Sequence, residues 1–372
     1  MSSRTEALVD LDAIRSNVEL LRAGTPADLM AVVKADGYGH GLVPSARAAL
    51  AGGATWLGVA FLEEALALRA AGIQAPILSW LATPGEDLAQ AVAAGIDLSA
   101  SAPWSIAELV RAARTADRPA RVHLKIDTGL SRGGAAAADW PELVTAAAKA
   151  AAGGEVEIVG MWSHFAYADV PDHPTVRGQV ANFRAALAEA ERLGVTPQLR
   201  HLANSAATLT SPDAHFDLVR PGIAVYGLTP VPPHQHGLVP AMTLRTHVAL
   251  AKRIPAGAGV SYGHEYHAER ETTVALIPLG YADGVPRAGG NALPVQLGGR
   301  RLRVAGRVCM DQFVLDVGDG PVSAGDEVVL FGPGTGGEPT AQEWADILGT
   351  ISYEVVSRVG ARVPRAYRGD LG

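Results

Sequence analysis

From about residue 29 to residue 219 the chain alternates short apolar runs with amphipathic stretches. The runs fall at residues 29–34, 55–60, 77–81, 96–99, 122–126, 156–161, 199–202 and 217–219. Each is short enough for a strand and too short for a helix, which predicts eight strands. Residues 63–71, 86–94, 105–116, 140–152 and 175–193 carry helical periodicity between them. Strands alternating with helices predict parallel β-α units, and eight such units match a closed (β/α)8 barrel. An open doubly wound sheet shares the same local pattern and is the second expectation. The pattern changes after residues 230–237, a Pro- and turn-rich segment that reads as a linker. Beyond it, strand-like runs at 243–252, 273–278, 302–305, 313–317 and 327–331 predict a mainly β domain, closed by one helix over 341–348. A strand-like piece at 6–11 is expected to join that β domain. The expected division is therefore 1–11 with the β domain, 12–232 as barrel and 233–372 as β domain.

In a (β/α)8 barrel, chemistry sits at the C-terminal ends of the strands, and phosphate often binds after strands seven and eight. Lys34 and the glycine-rich Asp36-Gly-Tyr38-Gly-His-Gly41 follow the first predicted strand, and Asp127 to Gly134, with Arg132, follows the fifth. Ser163 and His164 end the sixth, Asn204 and Ser205 follow the seventh, and Arg220, Gly222 and Ile223 follow the eighth. Taken alone, a strand-end lysine usually snorkels to solvent. A lysine at the end of a buried strand instead has a lowered pKa and becomes a nucleophile for carbonyls. The adjoining glycines favour the second reading, because they let the backbone approach a ligand closely. Asn204, Ser205, Gly222 and Ile223 offer hydroxyl and backbone donors suited to phosphate, although ordinary turns use the same residues. Arg132 and Arg220 only donate hydrogen bonds and suit a carboxylate. A lone histidine such as His164 is by default a satisfied core residue.

Composition narrows the partners. Net charge is −7 with both signs interspersed and no basic tract, so nucleic acid is not expected. No run approaches the roughly eighteen apolar residues that span a bilayer, and the Met1-Ser-Ser-Arg-Thr-Glu6 start lacks a signal-peptide core. Cys309 is the single cysteine, which excludes an intrachain disulfide and fits a reducing, cytoplasmic setting. Cysteine and histidine spacing shows no zinc pattern, and no metal is expected. The run Gly332-Pro-Gly-Thr-Gly-Gly337 leads into Glu338-Pro339 and not into a helix, so it is not a dinucleotide loop.

Several segments closely resemble bacterial alanine racemases, which are fold-type III pyridoxal-phosphate enzymes. They are Val33-Lys34-Ala-Asp-Gly-Tyr38-Gly-His-Gly41, Leu124-Lys125-Ile-Asp-Thr-Gly-Leu-Ser-Arg132, Ser163-His164-Phe165, His201-Leu-Ala-Asn204-Ser205 and Val219-Arg220-Pro-Gly222-Ile-Ala-Val-Tyr226-Gly227. Val260-Ser-Tyr262-Gly, Leu279-Gly-Tyr281-Ala-Asp-Gly284, Cys309-Met310-Asp311 and Ile351-Ser-Tyr353-Glu354 continue the likeness in order. The resemblance implies a barrel plus β domain assembled as a head-to-tail homodimer. It implies interconversion of L- and D-alanine by two bases, Lys34 and Tyr262, supplying D-alanine for peptidoglycan. Lys34 would carry pyridoxal phosphate as a Schiff base. Tyr38, Ser205, Gly222, Ile223 and Tyr353 would hold the phosphate, with Asn204 beside them. Arg220, supported by His164, would face the pyridine nitrogen and, as a donor only, keep it unprotonated. Arg132 would touch the substrate carboxylate, ordered by Lys125, which is often carbamylated in the family. Tyr262, Met310 and Asp311 would come from the partner subunit. Ser131 departs from the glycine usual at its place, which puts the position of Arg132 in question.

The alternatives are a racemase that also takes serine, a decarboxylase of the same architecture, and a non-catalytic carrier of the cofactor. Decarboxylase relatives place a glutamate where Arg220 stands, and the carriers resemble the barrel alone.

Overall fold

The computed structural model describes residues 4–170 and 172–369. It divides into two compact units. One comprises Ile14–Gly37 and Leu42–Leu238. The other comprises, among the described residues, 4–13, Tyr38–Gly41 and 239–369.

The first unit contains the eight expected strands: Asp28–Val32, Trp56–Val59, Ile77–Ser79, Asp97–Ala100, Ala120–Lys125, Val156–Trp162, Leu199–His201 and Leu218–Val219. Strands one to seven neighbour each other in sequence order, all parallel, and strand eight pairs with strand one through Asp28↔Leu218 and Leu29↔Val219. Asp217 N donates to Arg200 O (3.0 Å) and Arg220 N to Ala203 O (2.9 Å), which join strands seven and eight and complete the ring. A doubly wound sheet would reverse its strand order. This ring does not, so the barrel is the architecture. Helices such as Leu62–Ala70, Pro103–Ala116, Trp140–Ala152 and Pro174–Arg192 follow their strands, and the strands are nearly continuously buried as a covered parallel sheet requires. Met30, Trp56, Leu78, Val159 and Leu218 form a packed apolar cluster, with Trp80 and Leu199 against it.

The second unit is mainly β. The N-terminal strand Thr5–Asp10 pairs antiparallel with Met242–His247 and parallel with Arg365–Arg368, as part of a six-stranded sheet. The expected strand over 243–252 is in fact two. Met242–His247 lies in the six-stranded sheet, and Leu250–Ile254 lies in a three-stranded sheet with Thr272–Ile277 and Phe313–Gly318. The switch is made where Val248 N bonds Asp326 O (2.8 Å) and Ala249 N bonds Leu276 O (2.9 Å), so consecutive residues serve different sheets. Likewise Ala341–Leu348 is joined by a second helix, Ser352–Ser357, which carries Tyr353. In the glycine-rich 332–337 loop, the Glu338 carboxylate accepts from Gly334 N and Gly336 N (2.7 and 2.8 Å), so those amides serve the loop itself.

Among the described residues no helix is long and apolar enough to cross a membrane, and no cluster of His, Cys, Asp and Glu is arranged to hold a metal ion.

Candidate active site

Lys34 stands two residues beyond the first barrel strand, where the backbone turns left-handed. Ala35 (φ 53°), Asp36 (φ 53°), Gly37 (φ 61°) and Tyr38 (φ 53°) all adopt positive φ. For non-glycine residues this costs roughly 1–2 kcal/mol each, and such strain persists only where neighbours over-determine it. The restraints here are specific. Gly37 N donates to Val33 O (2.8 Å), Leu42 N to Asp36 Oδ1 (2.8 Å) and Ala35 N to Glu64 Oε1 (2.6 Å). Glu64 is itself fixed in the first turn of its helix, where its Oε2 accepts from Ala60 N and Phe61 N. The Lys34 ammonium lies 6.0 Å from the Trp80 ring centre. Burial and then the positive charge of Arg132 lower its pKa, with Glu64 opposing.

Lys34 is one of a group of charges in mutual electrostatic reach. Burial, Arg220, Arg132 and Lys34 bring Lys125 down to about 8, against Asp127. Lys125 Nζ lies 4.2 Å from the centre of the Trp162 ring, and the Arg220 guanidinium 4.9 Å from it. Burial and then Arg220, Arg132, Lys125 and Lys34 hold His164 well below its usual range, so it is neutral near pH 7. Arg220 is 4% exposed, and burial lowers it to about 9, still charged at neutral pH. Its guanidinium donates to Ser163 O (2.8 Å), His201 Nδ1 (3.0 Å) and Leu202 O (3.2 Å), with His164 Nδ1 at 3.4 Å. His201 is therefore its closer imidazole partner, ahead of the expected His164.

The loops after strands seven and eight converge on Ser205. Its buried Oγ accepts from Gly222 N (2.7 Å) and Ala224 N (3.3 Å), and Ile223 is buried beside them. The Asn204 side-chain oxygen caps the following helix through Ala207 N (3.1 Å). After strand five, Asp127 Oδ1 gathers the amides of Gly129, Leu130 and Ser131 (2.9, 3.0 and 3.1 Å), forming the turn that presents the exposed Arg132. Ser131 has φ 57° there. The left-handed penalty, less the extra freedom glycine gains on unfolding, leaves about 0.5–1 kcal/mol in favour of glycine. Ser131→Gly is accordingly expected to raise the thermal midpoint by about 2 °C, and a lower midpoint by calorimetry would refute the strain.

The remaining expected site residues belong to the β unit. Tyr38 and Tyr353 face each other with ring centres 6.2 Å apart, and burial, then Tyr353, raises the Tyr38 phenol. Tyr262 and Met310 are 73% and 53% exposed, unusual for such side chains. Their loops are tied together by Ser261, whose hydroxyl donates to Arg307 O (2.8 Å) and lies 3.3 Å from Cys309 Sγ. Asp311 accepts from Arg362 (2.8 Å).

Sequence reasoning missed His123, Asp97 and the role of His201. A signal was present for His123 alone. Arg121, His123 and Lys125 alternate along a barrel strand, so the period of two puts all three on one face.

The alanine racemase N-terminal domain model matches residues 9–230, and the alanine racemase C-terminal domain model matches residues 241–367. The chain is 65% identical to an alanine racemase of Frankia casuarinae over 98% of this chain and 96% of that one. It is 59% identical to one of Thermobifida fusca, with full coverage of both. The crystal structure of the alanine racemase from the D-cycloserine producer Streptomyces lavendulae superposes with a TM-score of 0.98 at 55% identity, covering 100% of this chain and 98% of that one. Since both domain models match in order and the likeness runs the length of the chain, this protein belongs to the alanine racemase family of amino-acid isomerases.

Proposed function

We propose that the protein interconverts L- and D-alanine using pyridoxal phosphate anchored on Lys34, in the cytoplasm, as a source of D-alanine for peptidoglycan. The observation that carries this reading is Lys34 itself. It is a lysine of lowered pKa, clamped on a strained turn beside Lys125, Arg132, His164 and Arg220, in a chain of this family. The residues present suit the cofactor. A rim rich in cations suits its phosphate and the substrate carboxylate; Ser205 Oγ, which accepts from Gly222 N and Ala224 N, keeps its hydroxyl proton to donate, and the Ile223 amide is a second donor. Tyr38 and Tyr353 are the further phosphate hydroxyls that the family likeness implies. When bound, pyridoxal phosphate acidifies the Cα–H of alanine by drawing electron density from it.

The protein's part is proton handling and orientation. Racemisation removes a proton from one face of Cα and returns one to the other, which calls for two groups. Lys34 Nζ is one, and its lowered pKa leaves more free amine at neutral pH. Tyr262 Oη, exposed on its own subunit, is the other, offered with Met310 and Asp311 to a second copy of the chain in a homodimer. Arg220 can only donate, so toward the ring nitrogen of the cofactor it would leave that nitrogen unprotonated and limit side reactions. Arg132 orients the substrate carboxylate.

Lys125 is the residue for carbamylation. At about 8 its pKa leaves a substantial free-amine fraction, which attacks carbon dioxide, forms an N–C bond and releases a proton. The resulting anion would offset Arg132 and Arg220. Intact mass and diffraction with bicarbonate should show the adduct on Lys125, and an unmodified lysine at saturating bicarbonate would exclude it.

The functional test is direct. Purified protein supplemented with pyridoxal phosphate and L-alanine should lose optical rotation to zero, the racemic end point. Constant rotation with cofactor bound would overturn the reading.

A further inference from the structure

Arg220 is a buried cation with no carboxylate among its direct partners. Its hydrogen-bond partners among the described residues are two backbone carbonyls and two imidazoles. A buried charge is costly unless it is compensated. The compensation lies along the barrel interior. His201 Nδ1 is 3.0 Å from Arg220 Nη1, and His201 Nε2 is 2.8 Å from His123 Nδ1. His123 Nε2 is 3.2 Å from Asp97 Oδ2. Arg121 forks onto both Asp97 oxygens (2.8 and 3.2 Å) and reaches Glu157 (3.0 Å), which is partly exposed. Both histidines are fully buried, and Asp97 is 1% exposed.

The chemistry of the two ends fixes every proton between them. Arginine only donates, and a carboxylate only accepts. His201 must therefore accept at Nδ1 and donate from Nε2. His123 must accept at Nδ1 and donate from Nε2 to Asp97. A doubly protonated His123 would force His201 to carry its proton on Nδ1, setting two donors 3.0 Å apart at Arg220. Packing confines the ring planes, and the hydrogen bonds at both nitrogens of each ring fix which edge faces which neighbour. Gly160 has room for His123 only because it lacks a side chain, since a Cβ there would lie 2.3 Å from His123 Nδ1. Trp56 meets the His123 ring edge-on (5.6 Å), and Trp162 stacks on His201 (5.7 Å, 6° between planes).

We propose that Asp97, through His123 and His201, is a positioning residue for Arg220: the donor-only arginine and the acceptor-only carboxylate agree on both ring tautomers, and the closed relay holds the guanidinium in the orientation that donates into the active site. Its catalytic consequence rests on the proposed role of Arg220 toward the cofactor, but the proton positions do not. The relay lets a carboxylate far down the barrel balance the arginine without standing beside it, where it would compete for the same N–H groups.

The test is nitrogen NMR on histidine-labelled protein, with and without pyridoxal phosphate. His123 and His201 should both carry a single proton, on Nε2. A proton on Nδ1 of either ring in the wild-type protein overturns the proposal, whatever becomes of any variant. In Asp97→Asn the tautomers stay dictated by Arg220, but the charged end of the relay is lost and the hold on the guanidinium should loosen. Racemisation kcat/KM should fall by about 10–100-fold, the usual cost of losing an outer orienting partner, with the change mainly in kcat. The absorption of the bound cofactor should shift as Arg220 moves. Unchanged cofactor absorption and unchanged kcat/KM in a folded Asp97→Asn protein overturn the proposal. A protein that shows both Nε2 protons yet fails to racemise alanine supports the relay and refutes the functional reading.

Discussion

Replacing Lys34 with alanine is expected to lower kcat/KM for L-alanine by roughly 10^5-fold, the scale seen when a group that both bonds and moves protons is removed. The loss is this large because the side chain does two things from one atom. Its amine anchors the cofactor, and the same nitrogen serves one face of Cα. No neighbour can stand in for it. Lys125 is the other lowered lysine, but it ends the strand Ala120–Lys125 with its amine over Trp162, whereas Lys34 sits in the turn held by Glu64 with its amine by Trp80. Thermal stability should change little, since Lys34 is only half-buried and the left-handed turn is tied by backbone groups of Gly37, Ala35 and Leu42. The measurements are optical rotation for activity and the visible absorption of the cofactor for anchoring. A Lys34→Ala protein as active as the wild type would sink the mechanism. A small added amine should restore part of the activity in the variant and none in the wild type, separating a missing amine from a collapsed site.

Tyr262→Phe should reduce racemisation by about 10^2–10^4-fold, the usual contribution of a positioned acid–base group. The equilibrium constant between enantiomers is 1, so kcat/KM must fall equally in both directions. Rates alone therefore cannot assign the two bases. Deuterium uptake can. With Lys34 intact, solvent deuterium should still enter Cα of one enantiomer without inversion, while conversion to the other stalls. If deuterium uptake and inversion fall together for both enantiomers, the two-base scheme fails. Undiminished racemisation would remove Tyr262 from it. The substitution costs little fold stability, because Tyr262 is 73% exposed in the single chain.

The sequence alone determined the division into an α/β part and a β part and most of the rim, while the strand order decided for the barrel over a doubly wound sheet. Eight apolar runs with helices between them place Lys34, Arg132, His164, Ser205 and Arg220 at equivalent strand ends, because a parallel strand buried on both faces must be apolar until it leaves the barrel. Period and turn residues also specified the helices Trp140–Ala152 and Ala341–Leu348. The double use of residues 242–254 was not legible, since one strand passing between two sheets keeps a single alternating pattern. Nor was the strain at Ala35 and Ser131, because ordinary residues give no local sign of positive φ. Only tertiary structure decided what holds Arg220. His201, His123 and Asp97 lie on three separate strands, and each alone reads as a core polar residue. Their meaning comes from parallel register, which lines up the interior faces of strands distant in sequence, and from the rule that a buried donor and a buried acceptor must each find a partner.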